Sequence, residues 1–304
     1  MSKILITGGS GLVGQAISRL LIAEGHSVVW LSRTANEGGG IRQFKWDIER
    51  GTIDPLAFEG VEHIIHLAGA NIAAHRWTKR YKKEIINSRV RSAALLAEHL
   101  IINRVQLKSF TGASAVGYYG ARLSDRVFSE AHEAGNDFLA EVCIAWEKSY
   151  EPFITMGIRT SILRCAVVLT KKDAALKKML PAFKLGFGAA IAKGDQAFPW
   201  IHINDLARLY INTCFITSYA GIYNAASPEK TTNAEFSATL ARVLDRPLLL
   251  PNIPEWALRL VIGEAATALS TGVSVNVQKL LDTGFAFRFP GLEQALRHLL
   301  RKST

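Results

Sequence analysis

Residues 3–14, KILITGGSGLVG, constrain this chain more than any other stretch. Ile4, Leu5 and Ile6 form a short apolar run suited to a strand buried on both faces of a parallel sheet. Residues 7–14 then read TGxxGxxG. In that spacing Gly8 permits a tight turn, Gly11 lets the backbone approach a pyrophosphate, and Gly14 lets the next helix lie close to the strand. The helix N-terminus offers free N–H groups and the positive end of its dipole to phosphate oxygens. Gly8, Gly9, Ser10, Gly11, Leu12 and Val13 are therefore candidate nucleotide-binding residues. Turns also collect glycine for structural reasons, but this one follows a strand and precedes an amphipathic run at 16–23.

A second strand is predicted at 27–31 (SVVWL). A site for an unphosphorylated dinucleotide carries Asp or Glu at the end of this strand to hold the ribose 2′-hydroxyl. Here Ser32 and Arg33 stand instead. An acid repels a 2′-phosphate, whereas a guanidinium and a hydroxyl bind one, so the pair points to NADP(H); the competing reading is a surface arginine. A third strand at 43–46 follows a flexible Gly38-Gly39-Gly40 loop and ends beside Asp47, placed to meet an adenine. The fourth, at 63–67 (HIIHL), runs into Ala68-Gly69-Ala70-Asn71. Those small residues let the backbone of Leu67, Ala68 and Gly69 pass a cofactor. His63 and His66, three apart on a strand, do not share a face and read as structural rather than as metal ligands.

A long helix is predicted at 77–103, a fifth strand at 109–116 with Ser114 near its carboxyl end, and a helix at 137–156. A sixth strand at 159–169, a helix at 204–216 and a short strand at 221–226 follow. This alternation implies an α/β fold, a doubly wound parallel sheet, with a smaller, mostly helical C-terminal lobe. The expected division is 1–169 plus 200–226 for the nucleotide-binding part and 170–199 plus 227–304 for a lobe covering the sheet's carboxyl edge.

Composition suits a soluble enzyme: 304 residues, 49% hydrophobic, enough for a substantial core. No basic and apolar leader precedes the first strand, and the apolar stretch 257–275 is broken by Arg259 and Glu264, so neither a signal nor a membrane span is expected. Cys143, Cys165 and Cys214 are far apart without a CxxC, the pattern of reduced cysteines in a cytoplasmic protein. The net charge of +10 has two readings, a basic surface that attracts an anionic ligand or a nucleic-acid binder. The best candidate for the second is 76–91 (RWTKRYKKEIINSRVR), but Ile85, Ile86 and Val90 give it a core face and no recognition motif accompanies it. No nucleic-acid partner is expected.

TGxxGxxG, the HLAG strand end, Ser114 and PWIHIND at 199–205 together resemble an extended short-chain dehydrogenase/reductase. More narrowly, RWT at 76–78, SR at 88–89, AWE at 145–147, FPWIH at 198–202, TNAEF at 232–236 and GFAFRFP at 284–290 resemble an atypical branch. That branch is the NAD-dependent epimerase/dehydratase-like family with a C-terminal helical extension, and the likeness runs over essentially the whole chain. The resemblance implies further cofactor contacts from Glu84, Arg89 and Val167, a small-molecule substrate, and a homodimer formed through the helices at 77–103 and 137–156. Arg89 suits its role chemically, since a guanidinium can hold ribose or phosphate oxygens.

The departure from the wider family is informative. Related enzymes carry Tyr-xxx-Lys on the helix after the fifth strand; the lysine lowers the tyrosine pKa, and the tyrosine moves the proton. Setting Glu147 at the acidic residue that follows this motif puts Leu139 at the tyrosine position and Cys143 at the lysine position, and no Tyr-xxx-Lys occurs between 134 and 157. Ser114 and Tyr119 are the candidate catalytic groups, Tyr118 and Tyr119 both preceding Gly120. Glu141 and Cys143, two apart, fall on different helix faces. His202 reads equally well as a ligand contact or a structural hydrogen bond. Two functions stay open: an NADP(H)-dependent oxidoreductase acting by hydride transfer on a small substrate, and an NADP(H)-binding sensor or scaffold without chemistry.

Overall fold

Ile4, Leu5 and Ile6 are completely buried because the strand that holds them lies in the middle of an eight-stranded sheet with helices on both sides. The computed structural model describes residues 1–35, 40–171 and 174–301. In chain order the first half comprises β1 (Lys3–Thr7), α1 (Leu12–Ala23), β2 (Ser27–Ser32), β3 (Arg42–Asp47), β4 (Thr52–Ile53), β5 (Val61–His66), α2 (Lys79–Ile102), β6 (Ser109–Ala115), β7 (Leu123–Phe128), α3 (Phe138–Lys148) and α4 (Glu151–Thr155). Then come β8 (Arg159–Cys165), β9 (Val167–Leu169), α5 (Ala174–Lys184), β10 (Trp200–His202), α6 (Ile203–Phe215), β11 (Gly221–Ala225) and α7 (Asn233–Val243). The chain closes with α8 (Glu255–Ile262), α9 (Thr267–Ser270), β12 (Gly272–Val275), α10 (Gln278–Leu281) and α11 (Leu292–Leu300).

The large sheet runs β11-β8-β6-β5-β1-β2-β3-β4, every pair parallel except β3 with the two-residue β4. Its order reverses between β1 and β5, so crossovers leave in opposite directions and open a crevice at the strands' carboxyl ends. Packing of α1 on α6 and of α2 on α3 forms the two helical layers. The edge strand β11 is closed by side chains: Glu130 Oε1 accepts from the Asn224 amide at 2.7 Å, and Lys279 Nζ donates to the Ile222 carbonyl at 2.7 Å.

Three sequence expectations are corrected. The helix expected over 137–156 is two, α3 and α4, divided at Tyr150. The Tyr150 ring is fully buried under Gly112, where a Cβ would lie 2.3 Å from it, and its hydroxyl donates to the Ala113 carbonyl. The strand expected over 159–169 breaks at Ala166, whose N–H bonds the Ala225 carbonyl, and β9 leaves the large sheet to pair with β10. The C-terminal part is also less purely helical than expected, since β12 pairs in parallel with β7. Of the Gly38-Gly39-Gly40 loop, Gly38 and Gly39 lie outside the described residues.

Among the described residues no helix is long and apolar enough to cross a membrane. The apolar stretch 257–275 forms most of α8, then α9 and β12. No residue of α8 is buried. It is held at its C-terminus, where Arg76 Nη2 donates to the carbonyls of Leu260 (2.7 Å) and Val261 (2.9 Å), and just beyond, where Lys82 pairs with Glu264 at 2.7 Å. The last segment is fixed more deeply: the buried Asp205 carboxylate accepts the amides of Arg288 and Phe289, both at 2.9 Å.

Candidate functional site

The turn after β1 is built by three glycines for three reasons. Gly8 has φ +67°, and a Cβ there would press on the Leu67 backbone at 3.1 Å. At Gly14 a Cβ would lie 2.6 Å from the Gly8 carbonyl oxygen, so α1 can approach β1 only without it. Gly11 is the N-cap of α1, with no side-chain cap and no acidic residue in the first turn; a Cβ there meets only the Gly8 oxygen, at 3.2 Å. The amides of Leu12 and Val13 thus stand at an uncapped helix end next to open space. Gly9 differs: a Cβ there would sit 2.3 Å from the Trp30 ring, itself anchored by a 2.9 Å bond to Ser18 Oγ. Thr7 Oγ1 accepts the amides of Leu67 and Ala68 and meets His66 Nδ1 at 2.8 Å, locking the ends of β1 and β5 together.

A cavity of about 880 Å³ opens between the carboxyl ends of β2 and β3 and the first turns of α2. Arg33, Asp47 and Glu84 share it. Asp47 Oδ1 accepts the amides of Glu49 and Arg50, each at 3.0 Å, while Ser32 Oγ accepts the Thr34 amide at 3.4 Å. Arg33 and Glu84 are exposed. Arg89 lies elsewhere, 8% exposed, with Nη1 donating to Ala70 (3.1 Å) and Ile85 (2.9 Å) and its guanidinium 4.5 Å above the Trp146 ring. A Cβ on Gly69 would be 3.0 Å from that guanidinium, so strand end and cation are in contact distance. Val167 is half-buried where β9 pairs with Trp200.

Ser114 stands at the carboxyl end of β6, 2% exposed, and its hydroxyl donates to Glu147 Oε1 at 2.6 Å. Glu147 is also gripped by Arg164, Nε to Oε1 and Nη2 to Oε2, both at 2.8 Å. Arg164 Nη1 reaches Tyr119 Oη at 3.0 Å, and Tyr119 donates to Asn224 Oδ1 at 2.8 Å. Tyr119 is completely buried, and burial raises its pKa. The hydroxyl of Tyr119, a candidate catalytic phenol by sequence, is thus enclosed, with Arg164 donating to it and Asn224 accepting from it. Its neighbour Tyr118 is the half-exposed one, with the Arg164 guanidinium 3.4 Å from its ring centre. Sequence inspection missed the Glu147–Arg164 pair, although an arginine inside the apolar strand TSILRC was a signal, since a buried guanidinium needs polar partners, a carboxylate foremost.

Leu139 and Cys143 do occupy one face of α3, toward the 116–119 turn: a Cβ on Gly117 would be 3.3 Å from Leu139 Cβ and 3.8 Å from Cys143 Sγ. Burial, with Glu147 adding to it, pushes the Cys143 thiol up to about 12, which disfavours the thiolate. All three cysteines are free. His202 takes the structural role: fully buried, it caps α6 by accepting the Asn204 amide at 3.0 Å, meets His298 at 3.1 Å and stacks on Phe289. His63 is likewise committed to Ser109 at 2.8 Å, and among the described residues no cluster of His, Cys, Asp and Glu could hold a metal ion.

This crevice and glycine turn have counterparts in known proteins. Residues 4–224 match the model of the NAD dependent epimerase/dehydratase family. The chain belongs to that family. Residues 253–299 match a second model, described as a domain of unknown function. Among relatives, epimerase family protein MT2273 of Mycobacterium tuberculosis (strain CDC 1551 / Oshkosh) is 33% identical over 296 residues, 96% of each chain. Epimerase family protein SDR39U1 of Homo sapiens is 32% identical over 304 residues, 98% of this chain and 99% of the human one. The crystal structure of human SDR39U1 (isoform 2) with NADPH is similar throughout, with a TM-score of 0.87, 30% identity and 98% of both chains covered.

Proposed function

We propose that this family member binds NADP(H) across the switch point between β1 and β5 and transfers hydride to or from a small carbonyl or alcohol substrate. The observation that carries the cofactor choice is Arg33, at the end of β2, facing the cavity with no carboxylate partner among the described residues. The cradle fits the group: Gly11 is open where a pyrophosphate approaches, and α1 is uncapped beneath it. In this reading Ser10 and the amides of Leu12 and Val13 hold the pyrophosphate. Ser32 and Arg33 hold the 2′-phosphate, and Asp47 and Glu84 border the adenosine. The strand end from Leu67 to Gly69, with Arg89 and Val167, borders the nicotinamide half. Human SDR39U1, solved with NADPH, supports the choice of cofactor.

When bound, the cofactor supplies a hydride donor or acceptor. The chain's own groups orient: the Glu147–Arg164 pair fixes the Ser114 hydroxyl, whose lone pairs can accept from a substrate hydroxyl, and Arg89 supplies fixed positive charge in place of the missing lysine. A second reading, a sensor that binds NADP(H) without chemistry, is favoured by the same region. The Ser114 proton is directed to Glu147, Tyr119 is enclosed, and neither Leu139 nor Cys143 can serve as a proton donor near neutral pH.

Calorimetric titration with NADPH and NADH, followed by NADPH consumption over a panel of carbonyl compounds, separates these. NADPH should bind more tightly, and Arg33→Ala should reduce that preference about 10- to 100-fold, the worth of one or two charge-assisted hydrogen bonds. Equal affinity of the intact protein for both cofactors would remove the assignment. Turnover selects the oxidoreductase, and tight binding without turnover across the panel selects the sensor.

A further inference from the structure

We infer that α2 supplies a second half of the 2′-phosphate site, with Lys79, Arg80 and Lys83 facing Arg33 across the cavity as specificity-determining cations. This rests on the NADP(H) reading above. The first part of α2 lines the same cavity as Arg33, and its lining residues recur at the three- and four-residue spacing of a single face. Three of them, in little more than one turn, are basic.

Their neighbours show that this charge is not simply scattered. Lys82, next in sequence, points away and is engaged by Glu264 at 2.7 Å and by the Phe138 ring at 4.7 Å. Arg76 is spent on the carbonyls of Leu260 and Val261, and Arg91, deeper along the cavity, is paired with Glu49 at 2.7 Å. The side chains of Lys79, Arg80 and Lys83 make no ion pair or hydrogen bond among the described residues, and all are exposed.

Like charges three and four apart repel along a helix, and the positive end of the α2 dipole, with no acidic residue in its first turn, adds to the strain. An anion between the walls relieves it. The lining cations Arg33, Lys79, Arg80, Lys83 and Arg91 outnumber the lining carboxylates Asp47, Glu49 and Glu84 by two charges, and Arg91 with Glu49 cancel within their own pair. A phosphomonoester carries about two negative charges near neutral pH, which cancels that surplus. The pyrophosphate is not the anion concerned, because its place is the uncapped end of α1.

The test is calorimetric titration of NADPH and NADH, at low and moderate salt, into wild type, Arg33→Ala and the triple variant Lys79→Ala/Arg80→Ala/Lys83→Ala. All three helix side chains are exposed, and coincident thermal melts check that the fold is kept. The triple variant should bind NADPH about 10- to 100-fold more weakly, bind NADH within about twofold of wild type, and lose part of the salt dependence of NADPH binding. NADPH affinity unchanged in the triple variant but lowered in Arg33→Ala would overturn the inference, as would an equal loss for both cofactors. A wild type without preference for NADPH overturns the cofactor reading itself, which is a different result from a preference that survives the triple substitution.

Discussion

At Gly9 a methyl group would lie 2.3 Å from the Trp30 ring, whereas at Gly11 it would meet only the Gly8 carbonyl at 3.2 Å. Substituting the two should therefore have opposite consequences. Gly9→Ala forces Trp30 off its bond to Ser18 and should cost about 1–3 kcal/mol, read as a lower urea midpoint, as overpacking does elsewhere. Gly11→Val should lower the urea midpoint only modestly, through the 3.2 Å contact and the loss of a glycine N-cap, and abolish NADPH binding by filling the space proposed for the pyrophosphate. A Gly9 variant as stable as wild type, or a Gly11 variant that binds normally, would reverse the assignment. Sequence spacing marks Gly8, Gly11 and Gly14 but cannot separate Gly9 from the ligand-facing set, because its constraint comes from a tryptophan on the next strand. Tyr118 and Tyr119 show the same limit: adjacent phenols end in opposite environments, and only the packing of Arg164 and Asn224 decides which is enclosed.

Elements with strong local patterning were legible: β1, β2, β3, β5 and β6, the start of α2 behind its Thr78 cap, and α6 all fall close to where the apolar periodicity puts them, whereas the two-residue β4 was not expected. Nor were the breaks. Ala166 ends β8 because its amide is taken by Ala225, and β7 exists because β12 returns from the far end of the chain to pair with it. Neither partner is visible in a local window. The candidate site divides the same way: the glycine turn and Ser32-Arg33 announce themselves, while the Ser114–Glu147–Arg164–Tyr119 chain needs four elements assembled. Among the described elements, α8 is weakly tied to the rest. With no buried residue and exposed Trp256, Leu260 and Val261, it should exchange its amide hydrogens far faster than α6, whose nine buried residues anchor it. Mass-resolved hydrogen exchange checks this directly; protection of α8 equal to α6 would show a partner holding it.

For the whole molecule, three enclosed histidines govern behaviour in acid. Burial holds His63 down to about 4, and His66 and His202 down to about 3, against about 6.5 in an unfolded chain. Between those values the unfolded chain binds more protons than the native one, so stability is complete above about pH 6.5 and falls as the pH drops toward 4. Each histidine contributes a slope of up to about 1.4 kcal/mol per pH unit. Urea midpoints should be steady from pH 8 to 7, within the window those shifts define, and decline clearly by about pH 5.5. A flat profile over that range would show that these rings titrate normally.

The two rims of the large sheet bear on how the protein behaves in a crowded solution. A strand at the margin of a sheet offers unpaired amides and carbonyls on which another chain can nucleate. Here one margin is β4, too short to template anything, and at the other β11 has its Asn224 amide taken by Glu130 and its Ile222 carbonyl by Lys279 at the foot of α10. The C-terminal segment that carries Lys279 is thus also a guard against self-association. Losing α10 would bare the parallel strand β11, and the cost would appear as aggregation.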